Sequence, residues 1–81
     1  MTHGMQPEPQ GEFESNLEIC YEVLLYLSSR LARLKSGEIF EFITGDHLAG
    51  EKIPNWCDQR GYLLLENSVM PDGRLRFLIQ K

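Results

Sequence analysis

Two cysteines, Cys20 and Cys57, are the nucleophilic side chains that this sequence offers for covalent chemistry. Cys20 opens the segment CYEVLLYLSSRLARL, which has the pattern of an amphipathic helix. A helix N-terminus carries partial positive charge and N–H groups without partners, and both stabilise a thiolate. Cys20 is therefore a candidate nucleophile. The same position also suits a small core side chain, because free cysteine is among the most buried residue types.

The charges around Cys20 are acidic. Residues 1–22 contain five glutamates and no lysine or arginine, whereas the whole chain has a formal net charge of −4. Glu18 and Glu22 flank Cys20 and oppose the stabilisation of a thiolate by the helix dipole. Glu22 suits the first turn of a helix, and a part in proton transfer at Cys20 is the alternative interpretation. The acidic balance also disfavours a nucleic-acid partner.

Cys57 is separated from Cys20 by 37 positions and belongs to no C-x-x-C pair. Neither histidine stands at a zinc-ligand spacing from the cysteines, so we predict no metal and no cofactor. Cys57 shares one helical face with Ile53 and Trp56, which predicts core packing for all three, with a resolving thiol as the alternative for Cys57. His47 is predicted to be a solvated surface residue.

The first helix has the clearest pattern in the sequence. Its apolar residues recur at the i, i+3, i+4, i+7 spacing of one buried face. Gly37 is the expected stop, since glycine is common just after a helix end. The residues of this stripe are Cys20, Val23, Leu24, Leu27, Leu31 and Leu34.

The remaining elements are a second helix and four strands. The helix is predicted to start at an N-cap, Asp46, and to stop at Gly61, with a kink or a restart at Pro54. The turn residues Pro71-Asp72-Gly73 predict an antiparallel hairpin between the last two strands. The predicted strands are residues 11–15, 38–44, 62–69 and 74–80.

The order β-α-β-α-β-β predicts an α+β fold. We expect a two-layer α/β sandwich in which a four-stranded mixed sheet carries both helices on one face. A flexible tail, residues 1–10, should precede a single domain, residues 11–81. The chain contains no apolar run of membrane-spanning length and no signal-peptide pattern, so we expect no membrane partner and a cytoplasmic protein. Arg74, Arg76 and Lys81 should form a basic strip that is either solvated or used in docking.

Several of these residues stand in register with a known family. Cys20 begins the first helix, Gly37-Glu38 follows that helix, and Ile53-Pro54-Asn55-Trp56-Cys57 lies in the second. The chain then closes on Arg76-Phe77-Leu78-Ile79-Gln80-Lys81. In these motifs, without gaps from Cys20 to Lys81, the sequence resembles the TusA/SirA-like sulfur-carrier family. The sequence departs from the family at its motif cysteine, where Cys-Tyr-Glu-Val replaces Cys-Pro-x-Pro.

The resemblance implies a sulfur carrier that accepts persulfide sulfur on Cys20 and passes it on. It implies a cysteine desulfurase, a rhodanese or another sulfur-relay protein as donor and acceptor, and a sulfurtransferase-like carrier rather than a turnover enzyme. Loss of both motif prolines favours an alternative, a non-catalytic interaction or regulatory module on the same fold. RNA binding is a third hypothesis, weakened by the acidic charge and by the lack of an aromatic and basic platform.

Overall fold

The structure, a computed structural model, describes residues 8–81. Residues 1–7 of the expected N-terminal tail lie outside this range, and Gln10 of that segment hydrogen-bonds to the backbone N–H and C=O of Ile39. The elements alternate in the predicted order. They are β1 (Gly11–Ser15), α1 (Tyr21–Ala32), β2 (Ile39–Thr44), α2 (Ala49–Arg60), β3 (Leu63–Val69) and β4 (Leu75–Gln80).

The four strands form one mixed sheet in the order β1-β2-β4-β3. β1 runs parallel to β2, and α1 forms the crossover between them. β4 pairs antiparallel with both β2 and β3, so the predicted hairpin is confirmed. Phe13, Phe42 and Phe77 stand opposite one another across three strands, with ring centroids 5.8 and 6.2 Å apart. This row of rings forms the centre of the sheet's buried face.

Both helices cover the same face of the sheet, as predicted. Strand residues alternate between two faces, and Phe42 and Phe77 point to the buried one. Leu27 of α1 and Ile53 of α2 belong to the same buried cluster as these two rings. The fold is therefore an α+β two-layer sandwich with its core between the helices and the sheet.

α1 ends earlier than the sequence predicts, at Ala32. The N–H of Leu34 bonds to the Leu31 carbonyl, three residues back, at 3.0 Å, and this tighter turn closes the helix. Gly37 is not the helix stop, and that prediction is wrong. It adopts a positive φ of 91° in the turn that leads to β2, where a glycine tolerates the left-handed conformation.

α2 differs from the prediction at its start and at its proline. Asp46 is not the N-cap; that residue is Leu48, whose N–H donates to the Asp46 side chain across an Asx turn ahead of the helix. The helix is continuous through Pro54, because the proline removes only one backbone donor and core side chains hold the helix on both sides of it. Gly61 ends the helix with a left-handed φ of 78°, as predicted.

The predicted basic strip is occupied by contacts within the chain. Arg76 donates to Glu41 at 2.5 Å and to Glu66 at 2.6 Å on the sheet face that the helices leave open. The hydrogen bond to Glu41, with the charges of both glutamates, raises the pKa of Arg76. Arg74 pairs with Glu14 and Asp72.

Lys81 completes this internal pairing at the end of the chain. Its ammonium donates to the carbonyl oxygens of Ala32 and Leu34 at 3.0 and 2.7 Å, where the helix dipole of α1 is negative. The three cations of the strip therefore stabilise this fold.

Candidate functional site

Cys20 is the N-cap residue of α1. Its backbone is extended (φ −136°, ψ 179°), and its carbonyl oxygen accepts the bond from the N–H of Leu24 at 3.0 Å. The thiol makes no capping hydrogen bond and is exposed. The helix therefore presents a sulfur atom next to the unpaired N–H groups of its first turn, with nothing in the described residues bound to that sulfur.

The sequence analysis places Cys20 in the apolar stripe of the first helix, and the exposure of this residue shows that the placement is wrong. Val23, Leu27 and Leu31 are buried as expected, but Cys20 is not part of the core. The reason is conformational, since Cys20 lies just outside the helix and its extended backbone breaks the helical periodicity. The neighbouring Ile19, only 1 % exposed, occupies the core position at the start of the helix instead.

The exposed residues on both sides of Cys20 include large apolar side chains as well as Glu18 and Glu22. Leu17 is 67 % exposed and Tyr21 is 76 % exposed, so large apolar side chains lie within three residues of Cys20 on both sides in the sequence. Leu25, one turn further along α1 from Tyr21, is also exposed. Exposed apolar groups of this size beside a free thiol are typical of a surface that contacts another protein.

A shallow groove lies beside the start of α1, next to β1. Phe13, Leu17, Val23 and Tyr26 supply its apolar lining, and Glu22 supplies one carboxylate. The rings of Phe13 and Tyr26, both in this lining, pack with centroids 4.6 Å apart. Glu22, the predicted supporting residue, is exposed in the first turn of α1. Within residues 8–81 no hydrogen bond or ion pair joins it to Cys20.

Cys57 has the opposite environment. It is 2 % exposed on the inner face of α2, together with Ile53 and Trp56, so the predicted core packing is confirmed. Burial without a charged partner raises the pKa of the Cys57 thiol to about 11, because a thiolate there would lose its hydration. Cys57 is therefore a neutral packing group at physiological pH.

Two side chains that the sequence analysis did not assign to the site hold the residue before Cys20. The backbone N–H of Ile19 donates to Asp46 Oδ2 at 2.6 Å, and Lys52 Nζ donates to the Ile19 carbonyl oxygen at 2.8 Å. The bond from Ile19 is the main reason that the pKa of Asp46 is lowered below 3.8; the Leu48 N–H and nearby positive charges act in the same direction. These partners lie 27 and 33 positions from Ile19, so no local sequence pattern announces them.

The remaining candidates offer no second reactive centre. His47 is exposed, as predicted. Among residues 8–81 no cluster of three or more His, Cys, Asp or Glu side chains is arranged to hold a metal ion. None of the helices in the described part is long and apolar enough to cross a membrane. Within residues 8–81, the chemistry that this site supports is nucleophilic exchange at one exposed sulfur, close to a shallow and open groove.

Comparisons with known proteins agree with this geometry. No curated protein matched the sequence. A family model described as sulfurtransferase TusA matches residues 17–81, a range that contains Cys20, both helices and three of the four strands. Since the match covers most of the chain, from the residues before Cys20 to the last residue, this protein belongs to the TusA sulfurtransferase family.

Proposed function

We propose that this protein carries sulfur as a persulfide on Cys20, accepting it from one protein and passing it to another. One observation carries the proposal: of the two thiols, the one at the helix start is exposed and uncapped, whereas the other is buried in the core. A carrier needs a sulfur atom that partners can reach, and only Cys20 satisfies that need. Membership of a sulfurtransferase family supports the same role.

The transfer is a thiol–disulfide type of exchange and needs no cofactor. The Cys20 thiolate attacks the terminal sulfur of a donor persulfide, R–S–SH. A bond forms between Cys20 Sγ and that sulfur while the donor's S–S bond breaks, and the donor leaves as the thiolate R–S⁻. The proton stays on the transferred sulfur, giving Cys20–S–SH. Delivery repeats the exchange with an acceptor thiolate, so no net oxidation or reduction occurs.

The helix start helps both halves of this exchange. The unpaired N–H groups of the first turn and the helix dipole favour negative charge on the sulfur by roughly 0.3–1 kcal/mol at an exposed site. Glu22, in the same turn, opposes this effect. We propose Glu22 as a supporting residue that keeps the Cys20 thiolate nucleophilic when it accepts sulfur, because the intrinsic nucleophilicity of a thiolate falls as the thiolate becomes more stabilised.

Family members relay sulfur with partner sulfur-transfer proteins. For this chain we propose a cysteine desulfurase, a rhodanese or a similar relay protein as donor and acceptor, acting in the cytoplasm. Docking would use the exposed apolar side chains of Leu17, Tyr21 and Leu25, which lie within five residues of Cys20 in the sequence, and covering them would bring the two sulfur atoms together.

The test is transfer of labelled sulfur. Wild type, Cys20→Ser and Cys57→Ala would be incubated with a cysteine desulfurase and labelled cysteine, and separately with labelled glutathione persulfide. We expect label on wild type and on Cys57→Ala that a reducing agent releases, and none on Cys20→Ser. Equal labelling of all three proteins, or labelling that follows Cys57, would refute the proposal.

The same variants also test the alternative function, a non-catalytic interaction module. If the protein is an interaction module without sulfur chemistry, Cys20→Ser should bind its partner and support the cellular phenotype as wild type does. A matched variant, Leu17→Ser, removes apolar surface and leaves the thiol in place. On the carrier proposal, Leu17→Ser lowers labelling by the desulfurase and leaves labelling by glutathione persulfide unchanged, because only the protein donor needs the docking surface.

A further inference from the structure

The backbone immediately before Cys20 is held by two charged side chains, Asp46 in the turn ahead of α2 and Lys52 in the first turns of α2. The Ile19 N–H donates to Asp46 at 2.6 Å, and the Ile19 carbonyl oxygen accepts from Lys52 at 2.8 Å. The N–H of Ile19 is thus bound by a negatively charged carboxylate, and its carbonyl oxygen is bound by a positively charged ammonium group. Hydrogen bonds to charged partners are about twice as strong as neutral ones, so this arrangement restrains the chain at the point where it enters α1.

The local sequence supplies little further restraint beyond the buried Ile19 side chain and the bond from the Leu17 N–H to Ser15 Oγ. The N-cap residue Cys20 makes no side-chain capping bond, and the first turn of α1 contains no proline, the residue type that would fix a backbone φ there. Leu17 and Tyr21, on either side, are largely exposed and have little packing to hold them. The position of the Cys20 sulfur therefore depends on contacts made by residues distant in sequence.

Asp46 is itself well anchored. Its backbone N–H donates to the hydroxyl of Thr44, which is fully buried at the end of β2, and its Oδ1 accepts from the N–H of Leu48. Oδ2 is left to receive Ile19. Asp46 therefore connects the end of β2, through its backbone N–H, with the start of α2 and the residue before Cys20, through its carboxylate, and so links the sheet to the sulfur site.

We propose that Asp46 and Lys52 are positioning residues for Cys20: together they fix the Ile19 peptide and so aim the thiol for sulfur exchange. This inference rests on the proposed function of Cys20. Neither side chain needs to touch the transferred sulfur. Their effect is to reduce the conformations of the helix start, so that the attacking sulfur meets the donor in line with the S–S bond.

The experiment uses Lys52→Met, which keeps the aliphatic stem, and Asp46→Asn, which keeps the shape and removes the charge. Arg60→Met and Asp58→Asn, at exposed positions of α2, make the same charge changes away from Cys20. For each protein we would measure exchange of the Ile19 amide hydrogen, alkylation of Cys20 by iodoacetamide, and the rate of sulfur acceptance from glutathione persulfide, together with the melting temperature.

We expect Asp46→Asn and Lys52→Met to speed Ile19 amide exchange and to lower the rate of sulfur acceptance by about tenfold. Exchange of the Phe42 amide, inside the sheet, should keep its protection, and both control variants should behave as wild type. The proposal would be overturned if both test variants accepted sulfur at the wild-type rate. It would also be overturned if a control variant with the same melting temperature lost as much sulfur acceptance as the test variants.

A rescue separates positioning from mere stability. Adding Tyr21→Pro to Lys52→Met fixes φ at the first helical position and confines Cys20 to its observed extended conformation. Sulfur acceptance should then return towards the rate of Tyr21→Pro alone. If stability recovers and acceptance does not, positioning is refuted. If wild type itself accepts no sulfur, the proposed function fails, and Ile19 exchange and the Cys20 alkylation rate then decide the positioning role by themselves.

Discussion

Cys20 holds the extended backbone conformation that a residue preceding a proline adopts, and Tyr21, the next residue, is the first residue of α1. The first helical N–H has no partner within the helix, so a proline there loses no helical hydrogen bond. The site thus retains the backbone geometry of a Cys-Pro start although the sequence has Cys-Tyr.

Tyr21→Pro should therefore be tolerated. Because the ring restricts the unfolded chain and the native φ suits it, we expect stability to rise by about 0.4–1 kcal/mol, since little packing is lost from an exposed side chain. Urea unfolding measures the change. Leu25→Pro, also at an exposed position but in the helix interior, is the control and should lose about 3 kcal/mol. Similar losses for both variants would contradict the assigned start of the helix.

The two thiols should differ sharply in reactivity. Ellman's reagent at pH 8 should modify one thiol per native molecule and two in denaturant, because Cys57 is buried and its pKa is raised to about 11. Cys20→Ser should show no fast-reacting thiol, and Cys57→Ala should retain it. Rapid modification of two thiols in the native protein would contradict the buried position of Cys57.

The Asp46 carboxylate should give the protein a component of acid sensitivity. The pKa of Asp46 is lowered in the folded state, chiefly by the Ile19 N–H and, less strongly, by the Leu48 N–H and the charges of Lys52 and His47. A lowered pKa means that the unfolded state binds the proton more readily, so this contribution is complete above the unfolded value of 3.8 and disappears as the pH falls through the folded value.

Comparison of wild type with Asp46→Asn checks this sign. The difference in unfolding free energy between the two proteins should stay constant from neutral pH down to about pH 5 and shrink below about pH 4. Asp58→Asn, at an exposed position of α2, serves as the control and should show no such change. A difference that grows with acid would mean that the carboxylate destabilises the fold.

Two glycines should respond in opposite ways to alanine. A Cβ atom at Gly11 would lie 2.8 Å from Cδ1 of the buried ring of Phe40, so Gly11→Ala should cost about 1–3 kcal/mol as the ring is displaced. At Gly50, near the start of α2, the nearest atom is 3.8 Å away in Leu75, an ordinary contact. Gly50→Ala should stabilise by roughly 0.5–1 kcal/mol through helix propensity. Thermal or urea unfolding distinguishes these signs.

Arg76 should be required for stability rather than for docking. Arg76→Met leaves the facing carboxylates of Glu41 and Glu66 without their cation, and we expect a loss of roughly 1–3 kcal/mol. Adding Glu41→Met should recover part of the loss, since apolar side chains can replace a partly buried ion pair. Sulfur acceptance from a protein donor should be unchanged at a temperature where both proteins are folded. A loss of acceptance there would make Arg76 part of a docking surface.

The sequence alone determined most of the architecture. The apolar stripe from Val23 to Leu31 fixed which side of α1 is buried, because helical periodicity places these side chains on one face whatever they pack against. The turn at Pro71-Asp72-Gly73 and the stop at Gly61 also depend on local conformational preferences, and both were predictable. Cys20 could likewise be placed at the helix start from its neighbours.

Where local signals competed, prediction failed. Gly37 has the residue type of a helix stop, but α1 had already closed through a tighter turn near Leu34. Asp46 has the residue type of an N-cap, yet its carboxylate also bonds to Ile19, far away in sequence. Pro54 suggests a break, but the loss of one hydrogen bond is small beside the burial of the helix face around it.

Only the tertiary structure decided the environment of the two thiols. Cys20 and Cys57 both fit apolar helical patterns, and periodicity cannot show that the backbone at Cys20 is extended, one residue before α1 begins. Long-range contacts settle this point. Asp46 and Lys52 hold the Ile19 peptide, Ile19 fills the core, and Cys20 is left in solvent. Such contacts depend on residues that folding alone brings together, and this is why no local pattern predicts them.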